Sequence, residues 1–302
     1  MPRQNPEEEA VLYSGCKINL YLRITGRLAN GYHSLQSFML PLKNPFDTLR
    51  ISPGKQPGLT LICAEKYLDV RNNTLQKAYA LFRPEAAACP DLKVVLEKNV
   101  PAGAGLGGGS ADAAALLLFL EQDLEKTAGS GLGREKLLEI AAKVGMDVPF
   151  FILNQPAWVY GMGEKLLPCA LACDKIYLVL VCPDIHVSTA WAYAEWDKMQ
   201  LTRQQAQDTN LPFTEFNLQY LFNSFEQTVF ACFPQLVEIK QKLFELGAVN
   251  ALMSGSGSSL FGLFYARTQA KAAENVFKRL GFRVYTQAII QGRRQVGQGN
   301  GF

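Results

Sequence analysis

The stretch PAGAGLGGGSADAAALLL, residues 101–118, decides how this chain folds. Five of the seven residues in 103–109 are glycines, and an alanine–leucine run follows them. Glycine loses more backbone freedom on folding than any other residue, so this density indicates a backbone that another group must approach closely. The alanine–leucine run predicts a helix. A glycine loop that enters a helix presents unpaired N–H groups and the positive end of the helix dipole, and it therefore predicts a phosphate-binding loop.

Two well-known glycine motifs do not fit this stretch. Gly103, Gly105 and Gly108 form a GxGxxG match. A dinucleotide-binding unit would have a second strand ending in an acidic residue about 20 residues later. Here Glu121 and Asp123 still lie within the predicted helix. The Gly-Lys-Ser/Thr that closes a Walker A loop is also missing from the sequence.

Two polar residues follow the glycines, and each has two interpretations. Ser110 could cap the helix, or it could turn its hydroxyl toward a phosphate or Mg²⁺. Asp112 could act at the site, or it could be only an acid that the dipole favours in the first helical turn.

The composition is that of a globular protein without a nucleic-acid or membrane partner. The chain has 302 residues, enough for two domains of ordinary size, and 48% of them are hydrophobic. Lys and Arg number 30 against 27 Asp and Glu, and this net charge of +3 predicts no strongly basic surface. No apolar run reaches the ~20 residues that a membrane helix needs.

The cysteines and the N-terminus predict a cytoplasmic protein. The seven cysteines are odd in number and scattered, which is typical of reduced thiols rather than a disulfide framework. Cys169 and Cys173 have no second Cys/His pair to complete a zinc site, so we expect no metal site there. The N-terminal MPRQNPEEEA has no apolar segment, so we expect neither a secretory signal nor a transit peptide.

The segment CKINLYLRI, residues 16–24, alternates apolar and polar side chains and predicts a half-buried strand. The apolar face would hold Cys16, Ile18, Leu20, Leu22 and Ile24. The polar face would hold Lys17, Asn19, Tyr21 and Arg23. Lys17 and Asn19 would then lie side by side on the polar face.

The last hundred residues have a different pattern, with predicted elements in the order helix–strand–strand–helix–strand. This is most of a ferredoxin-like split βαβ unit. We therefore expect an α+β protein with a boundary near residue 165, which divides the chain into domains 1–165 and 166–302.

Three segments resemble the signatures of one family. PAGAGLGGGSADAA resembles the phosphate loop of the GHMP kinase superfamily, and CKINLYLRITGRLANGYHSLQS and LMSGSGSSLFGLF resemble its N-terminal and C-terminal motifs. The form KINLYL…GYHSLQ, together with DVPFFI, resembles the cytidine-recognising branch, the 4-diphosphocytidyl-2-C-methyl-D-erythritol kinases. The resemblance covers about residues 13–290. The chain departs from the usual pattern at Gly15–Cys16, where Pro-Ala is common, and at Ala111, where a second serine is usual.

The resemblance implies a two-domain fold and a reaction. Residues 1–165 would form an ATP-binding, ribosomal-protein-S5-domain-2-like domain, and 166–302 a ferredoxin-like domain. The reaction would use ATP and Mg²⁺ to phosphorylate the 2-hydroxyl of a small-molecule cytidine-diphosphate substrate in the non-mevalonate route to isoprenoids.

The resemblance also implies the site residues. The catalytic residues would be Lys17 and Asp147. The ATP-binding residues would be Pro101, Ala102, Gly103, Ala104, Gly105, Leu106, Gly107, Gly108, Gly109, Ser110, Ala111, Asn73 and Lys98. The residues that bind the cytidyl substrate would be Asn19, Tyr32, His33 and Tyr193, with the two tyrosines stacked on either face of the cytosine. For SGSGSS, residues 254–259, we expect a place on the acceptor side or against the phosphate loop.

Most of these residues also have a plain structural interpretation. A lysine on a polar strand face, such as Lys17 or Lys98, is usually solvated. Asp147 before Val-Pro could be a helix cap, and Asn73 could cap the helix that follows it. The tyrosines could be ordinary core residues.

Three other functions compete with this one. A mevalonate or homoserine kinase of the superfamily would share the loop but has no use for cytosine recognition. A nucleotide-binding regulator would keep the loop, but it would have no need of Lys17 and Asp147. A Rossmann oxidoreductase would bind a nicotinamide cofactor instead.

Overall fold

The computed structural model describes residues 9–65, 73–86, 89–173, 175–200 and 215–289. The strands are β1 (Ala10–Arg27), β2 (His33–Pro53), β3 (Leu59–Cys63), β4 (Leu92–Glu97), β5 (Ala157–Gly161), β6 (Lys165–Pro168), β7 (Ala170–Ala172), β8 (Ile176–Cys182), β9 (Glu215–Asn217), β10 (Phe222–Asn223), β11 (Asn250–Met253), β12 (Leu260–Phe264) and β13 (Arg283–Ile289). The helices are α1 (Thr74–Phe82), α2 (Gly108–Ala128), α3 (Arg134–Val144), α4 (Val148–Leu153), α5 (Thr189–Gln200), α6 (Glu226–Cys232), α7 (Gln235–Glu245) and α8 (Arg267–Arg279), with short 3₁₀ helices at Arg83–Glu85 and Leu218–Tyr220.

The first sheet is built on a long antiparallel pair, β1 and β2. Its strand order is β10-β1-β2-β4-β3, and β5 pairs with β2 and β6 with β5. Helices α1 to α4 lie over this sheet, and fully buried residues such as Val94, Leu116 and Phe150 belong to one apolar cluster between the layers. The helix layer brings the N-terminus of α2 against β1.

The second sheet has the order β11-β12-β8-β13, and its neighbouring strands are all antiparallel. With a helix between β8 and β11 and another, α8, between β12 and β13, this is the strand order of a ferredoxin-like unit. The predicted α+β class and the ferredoxin-like C-terminal half are confirmed.

The two sheets share a core. Ile18 and Leu20 of β1 pack in the same cluster as Leu178 and Leu180 of β8. Strand β10, which lies late in the chain, pairs in parallel with β1 in the first sheet, and β6 closes the hairpin with β5. The division of the chain at residue 165 stays a prediction.

The alternation predicted for β1 is wrong after Asn19. The register of β1 on β2 shifts between Asn19 and Tyr21. Such a β-bulge adds one residue to a strand and turns the following side chains to the other face. Leu22 and Ile24 therefore pack in a different cluster from Cys16, Ile18 and Leu20. The strand is also buried on both faces, since Lys17 is 4% exposed and Asn19 is 1% exposed.

The DVPFF segment begins a short helix. Helix α4 starts at Val148 with Pro149 in its first turn. Proline is tolerated there because the first N–H groups of a helix have no intrahelical partner. Helix α3 ends at Val144, before Gly145.

All seven cysteines lie within the described residues, and no disulfide joins any of them. None of the helices in the described ranges combines the length and apolar character that a membrane-spanning helix requires.

Candidate active site

A cavity of about 510 Å³ opens between the glycine loop, β1 and the start of α5. It is lined by Lys17, Asn19, Leu22, Leu35, Ser37, Met39, Asn73, Thr74, Leu96, Lys98, Val100, residues 101–110, Asp112, Asp147, Thr189, Tyr193, Phe225, Gly255 and Ser256. Its size suits a small-molecule ligand. The predicted residues Lys17, Asn19, Asn73, Lys98, Asp147 and Tyr193 thus meet around one space with the loop, while Ala111 is buried behind its wall.

The glycine loop leads directly into α2. Gly107 occupies the N-cap position with φ of 70°, and Ser110 already lies in the first turn, where its N–H donates to the Gly107 carbonyl at 3.0 Å. The interpretation of Ser110 as the helix cap is therefore wrong. Gly105 has φ of 75°, and a Cβ there would collide with the carbonyl of Ser254. Glycine is required at these positions because other residues rarely adopt such backbone angles.

Hydrogen bonds fix the loop to the segments on either side of it. The Lys17 N–H donates to the Leu106 carbonyl at 2.9 Å. From the other side, Ser254 Oγ donates to the Gly105 carbonyl at 2.9 Å, and the Ser259 N–H donates to the Ala104 carbonyl at 3.2 Å. Residues 254–259 therefore pack against the phosphate loop, which was one of the two places expected for them.

Lys17 lies at the junction of β1 and the loop. Its Nζ donates to Asn19 Oδ1 at 2.5 Å and to the Gly105 carbonyl at 3.0 Å, and it lies 3.8 Å from Asp147 Oδ2. Burial lowers the pKa of Lys17 from its ordinary value, and the negative charge of Asp147 opposes that effect. The lysine is thus a desolvated cation with a carboxylate beside it.

Asp147 faces the cavity from the position just before α4. It stands at the N-cap position, yet within the described residues its side chain makes no capping hydrogen bond. Its side chain is 30% exposed, against 5% for Lys17. The geometry does not support the interpretation of Asp147 as a cap and leaves its carboxylate available to a ligand.

Lys98 is held between two carboxylates at the other side of the loop. Its Nζ donates to Asp47 Oδ2 and, at 2.9 Å, to Asp112 Oδ2, and its side chain is 6% exposed. It is therefore not a solvated lysine. Burial lowers the pKa of Lys98, but the charges of Asp112 and Asp47 outweigh burial and raise it overall. Burial raises the pKa of Asp112 to about 6; Lys98 opposes that rise and Asp47 adds to it.

Asn73 caps α1 and also lies on the cavity wall. Its Oδ1 accepts a hydrogen bond from the Leu75 N–H at 2.9 Å and caps α1. It also lines the cavity, so its contact with a nucleotide stays a prediction.

The residues predicted to bind cytosine are only partly brought together. The rings of His33 and Tyr193 stack with centroids 4.6 Å apart, and His33 Nε2 lies 2.7 Å from Asp197 Oδ1. Burial raises the pKa of Tyr193 to about 12, and Asp147 adds to that rise. Tyr32 is 58% exposed and does not line the cavity. The stacking of Tyr32 and Tyr193 on a base stays a prediction.

Two residues at or behind the cavity were missed, Thr189 and Asp47. Thr189 and Ser256 share a hydrogen bond of 2.9 Å between their hydroxyls and both line the cavity. Asp47 is fully buried beside Lys98. An acid between the apolar residues of FDTLRI was a usable signal for Asp47, because buried charges are rare unless they are paired. No local signal pairs Thr189 with Ser256.

Family comparisons agree with this geometry. The family model of the GHMP kinases N terminal domain matches residues 73–155, and that of the GHMP kinases C terminal domain matches residues 206–282. The 4-diphosphocytidyl-2-C-methyl-D-erythritol kinase of Nitratidesulfovibrio vulgaris strain Hildenborough is 44% identical over 93% of this chain and 99% of its own length. The chain belongs to the 4-diphosphocytidyl-2-C-methyl-D-erythritol kinases. It is therefore an enzyme of the GHMP kinase type, and it depends on ATP.

Other members and structures extend the comparison. The 4-diphosphocytidyl-2-C-methyl-D-erythritol kinase of Lawsonia intracellularis is 38% identical over 91% of this chain and 95% of its own. A crystal structure of 4-(cytidine 5'-diphospho)-2C-methyl-D-erythritol kinase has 31% identity and a TM-score of 0.76, and the match covers 94% of this chain and 100% of that one. A homoserine kinase from Cytophaga hutchinsonii, with 14% identity and a TM-score of 0.66 over 96% of this chain and 98% of that one, shares the fold.

Proposed function

We propose that the chain transfers the γ-phosphoryl group of ATP to the 2-hydroxyl of 4-diphosphocytidyl-2-C-methyl-D-erythritol in the non-mevalonate route to isoprenoid precursors. The names of its relatives support the substrate. The observation that carries the mechanism is the Lys17–Asp147 pair, 3.8 Å apart, which faces the same cavity as the glycine loop.

The proposed reaction needs few groups. Asp147 accepts the proton of the 2-hydroxyl as that oxygen attacks the γ-phosphorus, and the bond from the γ-phosphorus to the β–γ bridging oxygen breaks to release ADP. The Lys17 ammonium stabilises the charge that develops on the attacking oxygen. A variant of this mechanism has Asp147 mainly orient the hydroxyl, with the proton leaving late, since phosphoryl transfer has a loose transition state.

The nucleotide binds along the glycine loop in this proposal. Backbone N–H groups within residues 102–109 and the positive end of α2 receive the phosphates. Asn73 and Lys98, which line the cavity, are assigned to the adenine side. Lys98 has limited freedom to move because both of its carboxylate partners are buried.

The cytidyl end is assigned to Asn19, Tyr32, His33 and Tyr193. Stacking of a base on an aromatic ring contributes about 1–3 kcal/mol. Tyr193 lies on the cavity wall with Asp147, which supports a place for the cytidyl group next to the reacting end. Asn19 is fixed by two hydrogen bonds. Its Oδ1 accepts one from Lys17 Nζ, and its Nδ2 donates one to Ser37 Oγ at 2.8 Å.

The residues present fit the Mg²⁺ that accompanies ATP. The Ser110 hydroxyl and the Asp147 carboxylate line the cavity, whereas both oxygens of Asp112 already accept hydrogen bonds, from Ser14 and Lys98. Magnesium is commonly held by one or two protein oxygens together with substrate phosphates. Within the described ranges, no cluster of three or more His, Cys, Asp and Glu side chains could hold an ion unaided. When bound, Mg²⁺ would neutralise charge on the β- and γ-phosphates.

We also assign the enzyme to the cytoplasm. Its seven cysteines, none of which is in a disulfide, support a reducing compartment, because disulfides form and persist in oxidising ones.

The proposal is tested by incubating the purified chain with ATP, Mg²⁺ and the cytidyl substrate, and by identifying the product by ³¹P NMR and mass spectrometry. We expect ADP and a product that carries a phosphate on the 2-hydroxyl, with mevalonate and homoserine left unchanged in parallel reactions. Phosphorylation of mevalonate or homoserine without reaction of the cytidyl substrate would contradict the proposal.

A further inference from the structure

Asp47 is a buried acid for which the proposed reaction has no use. It lies in β2 opposite Ser14 of β1, and its side chain has no exposed surface. Isolated carboxylates are costly to bury, and they persist in a core when several donors compensate them. The donors to Asp47 therefore indicate what it holds.

The carboxylate of Asp47 binds three consecutive residues. Its Oδ1 accepts hydrogen bonds from the Asn99 N–H at 2.6 Å and from the Val100 N–H at 2.8 Å, and its Oδ2 accepts one from Lys98 Nζ. Residues 98–100 lead directly into the glycine loop. One side chain in β2 thus fixes the incoming stem of the loop through two backbone groups and one cation.

The same carboxylate also lies close to the outgoing stem. A Cβ on Gly108, the first residue of α2, would lie 3.3 Å from Asp47 Oδ2. Lys98 extends the connection to Asp112 in the first turn of α2, and Ser14 Oγ donates to the other oxygen of Asp112 at 2.5 Å. Asp47 therefore lies between the residue that precedes the loop and the helix that follows it.

Anchored stems matter because the loop itself is intrinsically flexible. Glycines at 103, 105 and 107 all have positive φ and can adopt many other conformations when unrestrained. A binding site that is already ordered before its ligand arrives binds more tightly, because less conformational entropy is lost on binding. Asp47 can order both stems without touching the nucleotide, since it does not line the cavity.

We propose that Asp47 is a positioning residue for the nucleotide, because its carboxylate holds Lys98 and the incoming stem of the glycine loop directly, and the outgoing stem through Lys98, in the arrangement that binds ATP. This rests on the proposed function for the identity of the nucleotide site. A purely structural role would lower stability or the active fraction, whereas a positioning role lowers the affinity for ATP in the folded enzyme.

The test compares Asp47→Asn with the unchanged enzyme. The amide keeps the shape and one acceptor oxygen but loses the charge that pairs with Lys98. Hydrogen bonds to charged groups are strong enough that we expect the Kd for ATP, measured by calorimetry, and the KM for ATP to rise by about 10-fold or more. The kcat at saturating ATP and the KM for the cytidyl substrate should change by less than about 3-fold.

Asp91→Asn is the matched control. Asp91 also accepts a backbone hydrogen bond, from the Gly58 N–H at 2.7 Å, and one from an arginine, Arg83, at 2.9 Å, but it lies outside the cavity lining. This variant should leave the Kd for ATP unchanged. An Asp47→Asn enzyme with unchanged Kd for ATP, or with kcat falling while both KM values stay the same, would overturn the proposal.

If Asp47→Asn does not fold, Ser14→Ala decides the question. It removes the hydroxyl that donates to Asp112 and keeps Asp47 intact, so we expect a folded enzyme whose Kd for ATP rises by about 3-fold or more. An unchanged Kd in Ser14→Ala would then overturn the proposal. Calorimetry measures ATP binding without any acceptor substrate. If the proposed acceptor is incorrect, the product assay will show it, and the measured Kd for ATP will still test the role of Asp47.

Discussion

The two sides of the cavity each contain a buried lysine, and the lysines have opposite surroundings. Among the described residues, Lys17 has a single carboxylate partner, Asp147, at 3.8 Å, and burial lowers the pKa of Lys17. Lys98 donates to two carboxylates, those of Asp47 and Asp112, and its pKa is raised overall. The negative charge near Lys17 is too small to offset its burial, whereas the two carboxylates near Lys98 more than offset its burial.

This difference predicts different roles for the two lysines, in the reaction for Lys17 and in stability and nucleotide binding for Lys98. A desolvated cation with only one carboxylate beside it interacts strongly with any negative charge that develops nearby, because its field is poorly screened. A cation already bonded to two carboxylates has little capacity left for a third partner. We therefore expect substitutions at the Lys17 side to change turnover and substitutions at the Lys98 side to change stability and nucleotide binding.

Asp147→Asn should have the largest effect on turnover. Loss of a general base should lower kcat by a factor on the order of 10²–10⁴, while the Kd for ATP stays nearly unchanged. Steady-state kinetics and calorimetry on the same preparation measure the two quantities. Near-full turnover in this variant would show that Asp147 is not the base.

Lys98→Met should have the largest effect on stability. Two buried carboxylates would be left without their cation, and removal of one partner from such a group typically costs about 3–5 kcal/mol of the free energy of unfolding. Urea unfolding at neutral pH measures the loss. Lys136→Met, which breaks a partly exposed pair with Glu85, is the control and should cost no more than about 1 kcal/mol. Equal losses in the two variants would remove the distinction between the lysines.

Lys17→Met should lower turnover strongly and stability only slightly. Loss of the group that stabilises the developing charge should lower kcat by roughly 10²–10³-fold. The free energy of unfolding should fall far less than in Lys98→Met, because burial already disfavours the charge of Lys17. Kinetics and urea unfolding on both variants provide the comparison. A Lys17→Met enzyme that is fully active but unstable would reverse our assignment of the two lysines.

The smallest expected effect is in the pH dependence of stability at alkaline pH, to which the two lysines contribute slopes of opposite sign. The folded pKa of Lys17 lies below 10.5, so between that pKa and 10.5 the unfolded chain binds more protons and stability rises with pH. The folded pKa of Lys98 lies above 10.5, so its contribution is lost as pH rises through that raised value. Urea unfolding over an alkaline pH series, with each Met variant subtracted from the unchanged enzyme, should give slopes of opposite sign.

Local patterns in the sequence identified the parts of the site that local physics determines. The density of glycine and the alanine–leucine run predicted the loop and α2, because backbone freedom and helix propensity act over a few residues. The order of elements in the last hundred residues predicted the ferredoxin-like half. The resemblance of three motifs predicted six side chains, Lys17, Asn19, Asn73, Lys98, Asp147 and Tyr193, that line the cavity with the loop.

The sequence patterns did not predict contacts between segments that are far apart in the chain. The bulge after Asn19 depends on how β1 pairs with β2, and it reversed the face predicted for Leu22. The burial of Lys98 depends on Asp47, 51 residues earlier in the chain.

By itself, the sequence determined that a glycine-rich loop begins a helix and that the chain resembles a kinase family, because these features reside in contiguous residues. Only the tertiary structure decided that Lys17 has one carboxylate nearby and Lys98 two, that Tyr32 lies away from the cavity, and that Asp47 binds the stem of the loop. Burial and charge pairing depend on which segments meet in space, and a linear pattern does not contain that information.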